Sequence, residues 1–149
     1  AVPRGATSAR LLGTRRPAAT GRGLIYTEVI MGNYVDGFVV PVPKKKRAEY
    51  IRMAKLGRKV WLDHGALEYR ECVADDVKPG KVTSFPRSVK LRKGEEVWFS
   101  WVVYKSRRHR DQVMKKVMGD KRMQGMAGMD MPMDGKRMFF GGFKTLVQF

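Results

Sequence analysis

The segment EVWFSWVVYK (96–105) is the strongest β-strand signal in the chain, and it is apolar on both faces. One alternate set of side chains is Val97, Phe99, Trp101 and Val103, and the other is Trp98, Ser100, Val102 and Tyr104. Helices on one side of an antiparallel sheet bury only one of these faces, and a large exposed aromatic face is uncommon in a monomer. The segment therefore predicts a sheet covered by helices on one face and by a second copy of the chain on the other, giving a homodimer.

The first half of the chain predicts a β-α-β unit. Residues 34–42, YVDGFVVPV, indicate a strand, and residues 44–65 have apolar positions at helical spacing that end at Gly65. LEYRECVA (67–74) indicates a second strand. Residues 75–96 are rich in turn formers, and within them VTSF and SVKL are interpreted as short extended pieces.

The second half repeats this order. After the strand at 96–105, Ser106 is suited to cap a helix over residues 107–118, and residues 137–149 predict a final strand. GFVVPVPKKKRAEYIRMAK and SWVVYKSRRHRDQVMKKVM each pass from an apolar strand through basic residues into a helix. The predicted class is α+β, a ferredoxin-like βαββαβ sandwich with a four-stranded antiparallel sheet over residues 31–149.

The chain is strongly basic, with 31 Lys and Arg against 14 Asp and Glu and a net charge of +17. Residues 1–30 contain five arginines and one acid, and we interpret them as a flexible basic extension outside the domain. Such a balance favours acidic partners, but the charges are scattered and are typical of a solvated surface. The single cysteine, Cys72, and the lack of an 18-residue apolar run predict a cytoplasmic protein without a membrane partner.

Methionines crowd one segment, MQGMAGMDMPMDGKRM (123–138). Thioethers are ligands for Cu(I), so this spacing raises the question of a soft-metal site. The segment lacks the His and Cys that usually anchor such sites, and unbranched thioethers also fill irregular apolar space well. We therefore expect packing rather than metal binding, with no metal and no cofactor.

Seven polar residues are candidates for a site. Carboxylates beside apolar or aromatic neighbours on the strands, and a histidine at a helix end, suit acid–base chemistry, and the candidates are Asp36, His64, Tyr69 and Glu71. Basic residues next to the second helix and the last strand are candidates for ligand binding: Arg110, Lys136 and Arg137. Alternatively, the charged residues among these candidates form structural ion pairs that have no role in catalysis or binding. The residues leave open whether the protein is an enzyme or binds a small molecule without a metal.

The alternative function is binding of nucleic acid or another polyanion. Basic residues combined with Trp98, Trp101, Tyr104 and Phe139 are compatible with a sheet that stacks bases. No RNP-type aromatic motif is present, and a dimer core accounts for the same aromatics. We therefore favour a small-molecule ligand over nucleic acid.

Five segments in order resemble the YbaA-like family of small bacterial proteins: YVDGFVVPVP, HGALEYRECVADD, GKVTSFPRSVKL, VWFSWVVYKSRRHRD and MPMDGKRMFFGGF. The resemblance spans about residues 31–147 and implies a ferredoxin-like fold and a dimeric α/β barrel. It implies no activity, because the family has none established. Met133 stands where the family usually has an aromatic residue, which favours a packing role for this methionine.

Overall fold

Four strands form an antiparallel sheet in a computed structural model that describes residues 34–148. The predicted extension over residues 1–30 lies outside the described residues. The sheet order is β2-β3-β1-β4, and every neighbouring pair is antiparallel. The strands are β1 (Tyr34–Pro43), β2 (Glu68–Val73), β3 (Glu95–Tyr104) and β4 (Phe139–Lys144).

Helices join the strands, and the two long helices lie on one face of the antiparallel sheet, so the fold class is α+β. A 3₁₀ turn leads from β1 into the long helix that precedes β2, and a second long helix follows β3. The helices are α1 (Arg47–Asp63), the short α2 (Phe85–Ser88), α3 (Arg107–Met118) and the short α4 (Lys121–Gln124). Within residues 34–148, each helix is too short or too polar to cross a lipid bilayer.

The predicted helix boundaries are confirmed at two positions. Ser106 Oγ accepts a hydrogen bond from the His109 amide at 3.1 Å, which caps α3. Gly65 has a φ of 106°, a left-handed conformation that suits glycine immediately after a helix, and it follows the end of α1.

The core lies between the sheet and the two long helices. One cluster packs α1 and α3 onto β3 through Val60, Val102, Tyr104, Val113 and Val117, all 2% exposed or less. A second cluster packs α1 onto β1 and β3 through Val40, Val42, Tyr50, Ala54 and Trp98. The set of β3 side chains that begins at Trp98 is therefore the one buried by helices.

The opposite side of the sheet is only partly covered. VTSF (82–85) and SVKL (88–91) were predicted to be short extended pieces, but Ser84 caps the helix α2, and Ser84 Oγ accepts a hydrogen bond from the Arg87 amide at 3.2 Å. The short pattern VTSF did not reveal that Ser84 and Pro86 favour a helix start. After α2, Val89 and Leu91 pack on Val39 and Val97. The rest of this side of the sheet is here called the open face. It carries exposed or half-buried aromatic residues: Phe85, Phe99, Trp101, Phe139 and Phe143.

Gly142 on β4 allows a close approach that a larger residue would block. A Cβ atom at this position would collide with the ring and hydroxyl of Tyr34, which lies on the neighbouring strand β1, two residues before the partner of Gly142, Asp36. Gly141 and Gly142 are thus part of a strand, and glycine at position 142 leaves room for a side chain of the neighbouring strand.

Candidate functional site

An inner cavity of about 180 Å³ lies between α1 and the helix-covered side of the sheet. Apolar and aromatic side chains form most of its wall, including Phe38, Trp61 and Val102. Thioethers complete the wall, and they come from α1 and from the methionine segment 123–138: Met53, Met123, Met126, Met131, Met133 and Met138. The methionine segment therefore forms part of the wall of a cavity.

Glu71 is the acidic side chain in the wall of the inner cavity. It lies on β2, and its two carboxylate oxygens accept hydrogen bonds from Tyr50 Oη at 3.0 Å and Tyr69 Oη at 2.9 Å. Ser100, its direct partner on β3, supplies a further side-chain hydrogen bond. We call Glu71, Tyr50, Tyr69 and Ser100 the Glu71 cluster.

Burial sets the protonation behaviour of the Glu71 cluster. Desolvation raises the pKa of Glu71 above its ordinary value, although the three hydroxyl donors oppose this rise. Burial and the neighbouring Glu71 carboxylate raise the pKa of Tyr50 and of Tyr69 far above that of a free phenol. The two tyrosines thus remain hydrogen-bond donors, and burial shifts the protonation of Glu71 to a higher pH than that of an exposed glutamate.

Gly57 on α1 makes room for the cluster. A Cβ atom at this position would lie 3.0 Å from Tyr69 Oη, tighter than ordinary van der Waals contact. Glycine in a helix interior is unfavourable by about 1 kcal/mol relative to alanine. We therefore expect a contact that depends on the missing side chain to offset this difference. The space beside Gly57 is occupied by the hydroxyl that binds Glu71.

Tyr69 and Glu71 are the sequence candidates that the structure brings together in the cavity. Tyr50 and Ser100 were not predicted as site residues. Ser100 carried a signal, since it interrupts an otherwise apolar set of side chains on β3. Tyr50 carried none, because the sequence pattern explains it fully as part of the apolar stripe of a helix.

The buried Asp36 and the partly exposed Arg110 form a separate ion pair. Arg110 Nη1 donates to Asp36 Oδ1 at 2.6 Å, and the guanidinium lies over the Tyr34 ring, 5.0 Å from its centroid. Burial raises the pKa of Asp36, and the Arg110 charge opposes that rise. Neither residue lines the inner cavity.

His64 lies at the end of α1, where Nε2 is 2.8 Å from Asp120 Oδ2. Asp120 also caps α4 and binds Arg122, which reaches Asp63 on α1. These contacts fasten α4 to α1 and hold the start of the methionine segment in place.

Arg137 also has a structural environment. Its guanidinium contacts Glu95 and Asp134, and Arg137 lowers the pKa of both acids. The Lys136 side chain is exposed. Five of the seven candidates thus lie away from the inner cavity.

No group of three His, Cys, Asp or Glu side chains within residues 34–148 is placed to hold a metal ion. The soft donors in the wall of the inner cavity are its thioethers. Two of them, Met133 and Met138, also pack against the core cluster around Trp98, as expected from the sequence.

A family model described as "Protein of unknown function (DUF1428)" matches residues 33–135. The chain belongs to this family. The matched residues of DUF1428 include the whole Glu71 cluster, whereas Met138 and β4 follow the matched part.

Several proteins that are similar in sequence carry the name "Uncharacterized protein YbaA". The protein of that name from Escherichia coli strain K12 is 47% identical over 114 residues, which cover 76% of this chain and 97% of the relative. The Shigella flexneri protein of the same name gives the same values. The resemblance to the YbaA-like family is thereby confirmed.

Proposed function

We propose that the protein binds a small, largely apolar molecule in the inner cavity, without a metal, and that Glu71 accepts a proton or hydrogen bond from it. One observation carries the proposal: a carboxylate held by two tyrosines is part of the wall of a cavity that is otherwise apolar. Ligand sites commonly combine such a wall with a few convergent polar groups. A raised pKa also makes a carboxylate a stronger base, which suits a role in proton transfer.

The unused hydrogen-bonding capacity of the cluster indicates the kind of ligand. An ionised carboxylate has about four acceptor positions, and Tyr50, Tyr69 and Ser100 occupy three of them. The remaining position requires a donor, such as a hydroxyl group. A cavity of roughly 150 Å³ can hold a benzene ring, so the inner cavity is of suitable size for one ring. We infer a phenol-like or enol-like ligand.

Titration with 4-fluorophenol, followed by fluorine NMR, tests this proposal. The wild-type protein is expected to bind it, and E71Q is expected to bind it at least about tenfold more weakly, since a hydrogen bond to a charged acceptor is lost. Fluorobenzene has the same ring without the donor and should not distinguish the two proteins. Glu68→Gln is the matched control, because Glu68 lies on the same strand but on the opposite face.

Equal affinity of 4-fluorophenol for wild type and E71Q would contradict the proposed role of Glu71. Absence of binding by both fluorinated probes would contradict the cavity as a binding site.

The assembly is part of the same proposal: a ferredoxin-like domain that forms a homodimeric α/β barrel through the open face. Its support is the βαββαβ order of the long elements, the strand order β4-β1-β3-β2, and the exposed aromatics. Phe99, Phe139 and Phe143 are 41%, 45% and 65% exposed, which is more apolar surface than a solvated sheet normally shows. A second copy presents the same surface and is the partner of matching chemistry.

The lone Cys72, a free thiol, agrees with a reducing, cytoplasmic setting.

A further inference from the structure

A wider outer cavity of about 540 Å³ adjoins the inner one. One wall is a single face of α1, where Glu49, Arg52, Met53 and Leu56 follow helical spacing. The opposite wall is formed by α4 and the residues after it. The two cavities meet at three thioethers that line both: Met53, Met126 and Met131.

The charges of the outer cavity are unequally paired. Two of its charged lining residues are already in ion pairs: Asp130 pairs with Lys46 at 3.0 Å, and Arg122 pairs with Asp63 and Asp120. Arg52 and Lys121 are exposed and have no ion pair within residues 34–148, and Glu49 is the corresponding free acid. Two uncommitted cations against one anion favour an anionic group at this position.

We propose that the ligand is an amphiphilic anion. Its hydroxyl-bearing apolar body lies in the inner cavity at Glu71, and its carboxylate or similar group lies in the outer cavity between Arg52 and Lys121. This inference rests on the proposed function and specifies the ligand class for the same site. The three shared methionines lie where the ligand passes between the cavities, and their flexible side chains can adapt to it.

A ligand series with matched neutral partners tests the proposal. ω-(4-Hydroxyphenyl)alkanoates with chains of two to six carbons are compared by calorimetry with their primary amides, which keep the ring and hydroxyl but lack the charge. At the best chain length, the acid is expected to bind about fivefold to tenfold more tightly than the amide at low salt. This advantage should decrease as ionic strength rises, because the cations are exposed.

The double variant R52Q/K121Q locates the anionic position. It is expected to abolish the advantage of the acid and to change amide affinity by less than about twofold. The control K55Q/K116Q removes the same net charge at two exposed lysines that line neither cavity. It should leave the advantage in place.

Three results would overturn the inference. Equal affinity for acid and amide at every chain length would remove the anionic position but leave the proposed function standing, provided that the amide binds. An equal loss in R52Q/K121Q and in K55Q/K116Q would assign the effect to overall charge. Absence of binding by acids, amides and 4-fluorophenol alike would overturn the proposed function as well.

Discussion

Glu71 lies where a charge is unfavourable for folding, and this makes a prediction about stability. Because burial raises its pKa in the folded state, the folded protein holds the Glu71 proton more tightly than the unfolded chain does. Its stabilising contribution is therefore fully present below the ordinary glutamate pKa and is lost as the pH rises through the raised value. A neutral side chain of the same shape avoids this loss.

E71Q is expected to unfold with a free energy about 1 kcal/mol higher than wild type at pH 7 to 8, and the difference should shrink toward pH 4. Urea denaturation at a series of pH values measures it, with E68Q as the control on the other face of β2. A variant that is less stable than wild type at pH 8 would show that the three hydroxyl donors outweigh the burial of charge. Higher stability combined with weaker ligand binding is the expected signature of a functional carboxylate.

At the scale of elements, the contact of α1 with β2 depends on Gly57. An alanine in a helix interior normally stabilises by about 1 kcal/mol relative to glycine. Here the added methyl group would lie 3.0 Å from Tyr69 Oη, which is held at 2.9 Å from Glu71 and cannot withdraw without weakening that bond. G57A is therefore expected to give no gain in the free energy of unfolding, or a loss of up to about 1 kcal/mol.

A double-mutant cycle with Tyr69→Phe separates the two effects. In the Y69F background the hydroxyl is absent, so G57A should stabilise by about 1 kcal/mol as helix propensity predicts. Thermal or urea unfolding of the four proteins gives the coupling energy. If G57A has the same effect in both backgrounds, the hydroxyl of Tyr69 does not explain the glycine.

The elements with a strong periodicity or a defined end were predictable from the sequence. β3 follows from its run of β-branched and aromatic residues, and α3 follows from helical apolar positions and from Ser106; these are local properties of the chain. The short helix α2 was missed because four residues are too few to show a period. Tyr69 and Glu71 were found since neighbours on one strand share a face at a spacing of two.

The inner cavity could not be predicted, because its wall comes from distant parts of the chain. Tyr50 on α1 meets Glu71 on β2 only after α1 has packed on the sheet. The methionine segment shows no regular period, and long flexible side chains fit many environments. Its location over the cavity depends on the contacts of Asp120 with His64 and Arg122, which join parts of the chain that are far apart in sequence.

At the scale of the whole molecule, the two apolar faces of β3 lie in different environments. Trp98, Val102 and Tyr104 are buried by α1 and α3. On the other side, Val97 is covered by the residues after α2, while the Phe99 side chain is 41% exposed. Phe99 contacts Phe85 and Trp101 in an aromatic row whose outer surface has no cover within residues 34–148.

The proposed dimer predicts that a charge at Phe99 separates the subunits. In a face-to-face dimer with two-fold symmetry, F99E places two carboxylates within one apolar interface, and burying an unpaired charge is strongly unfavourable. Light scattering is expected to give twice the chain mass for wild type at micromolar concentration and one chain mass for F99E. Phe140→Glu is the matched control, because Phe140 is 68% exposed but lies on the helix-covered side of the sheet next to Phe38. It should leave the mass unchanged, and a wild-type protein that is monomeric at micromolar concentration would contradict the assembly while leaving the inner cavity of each chain as described.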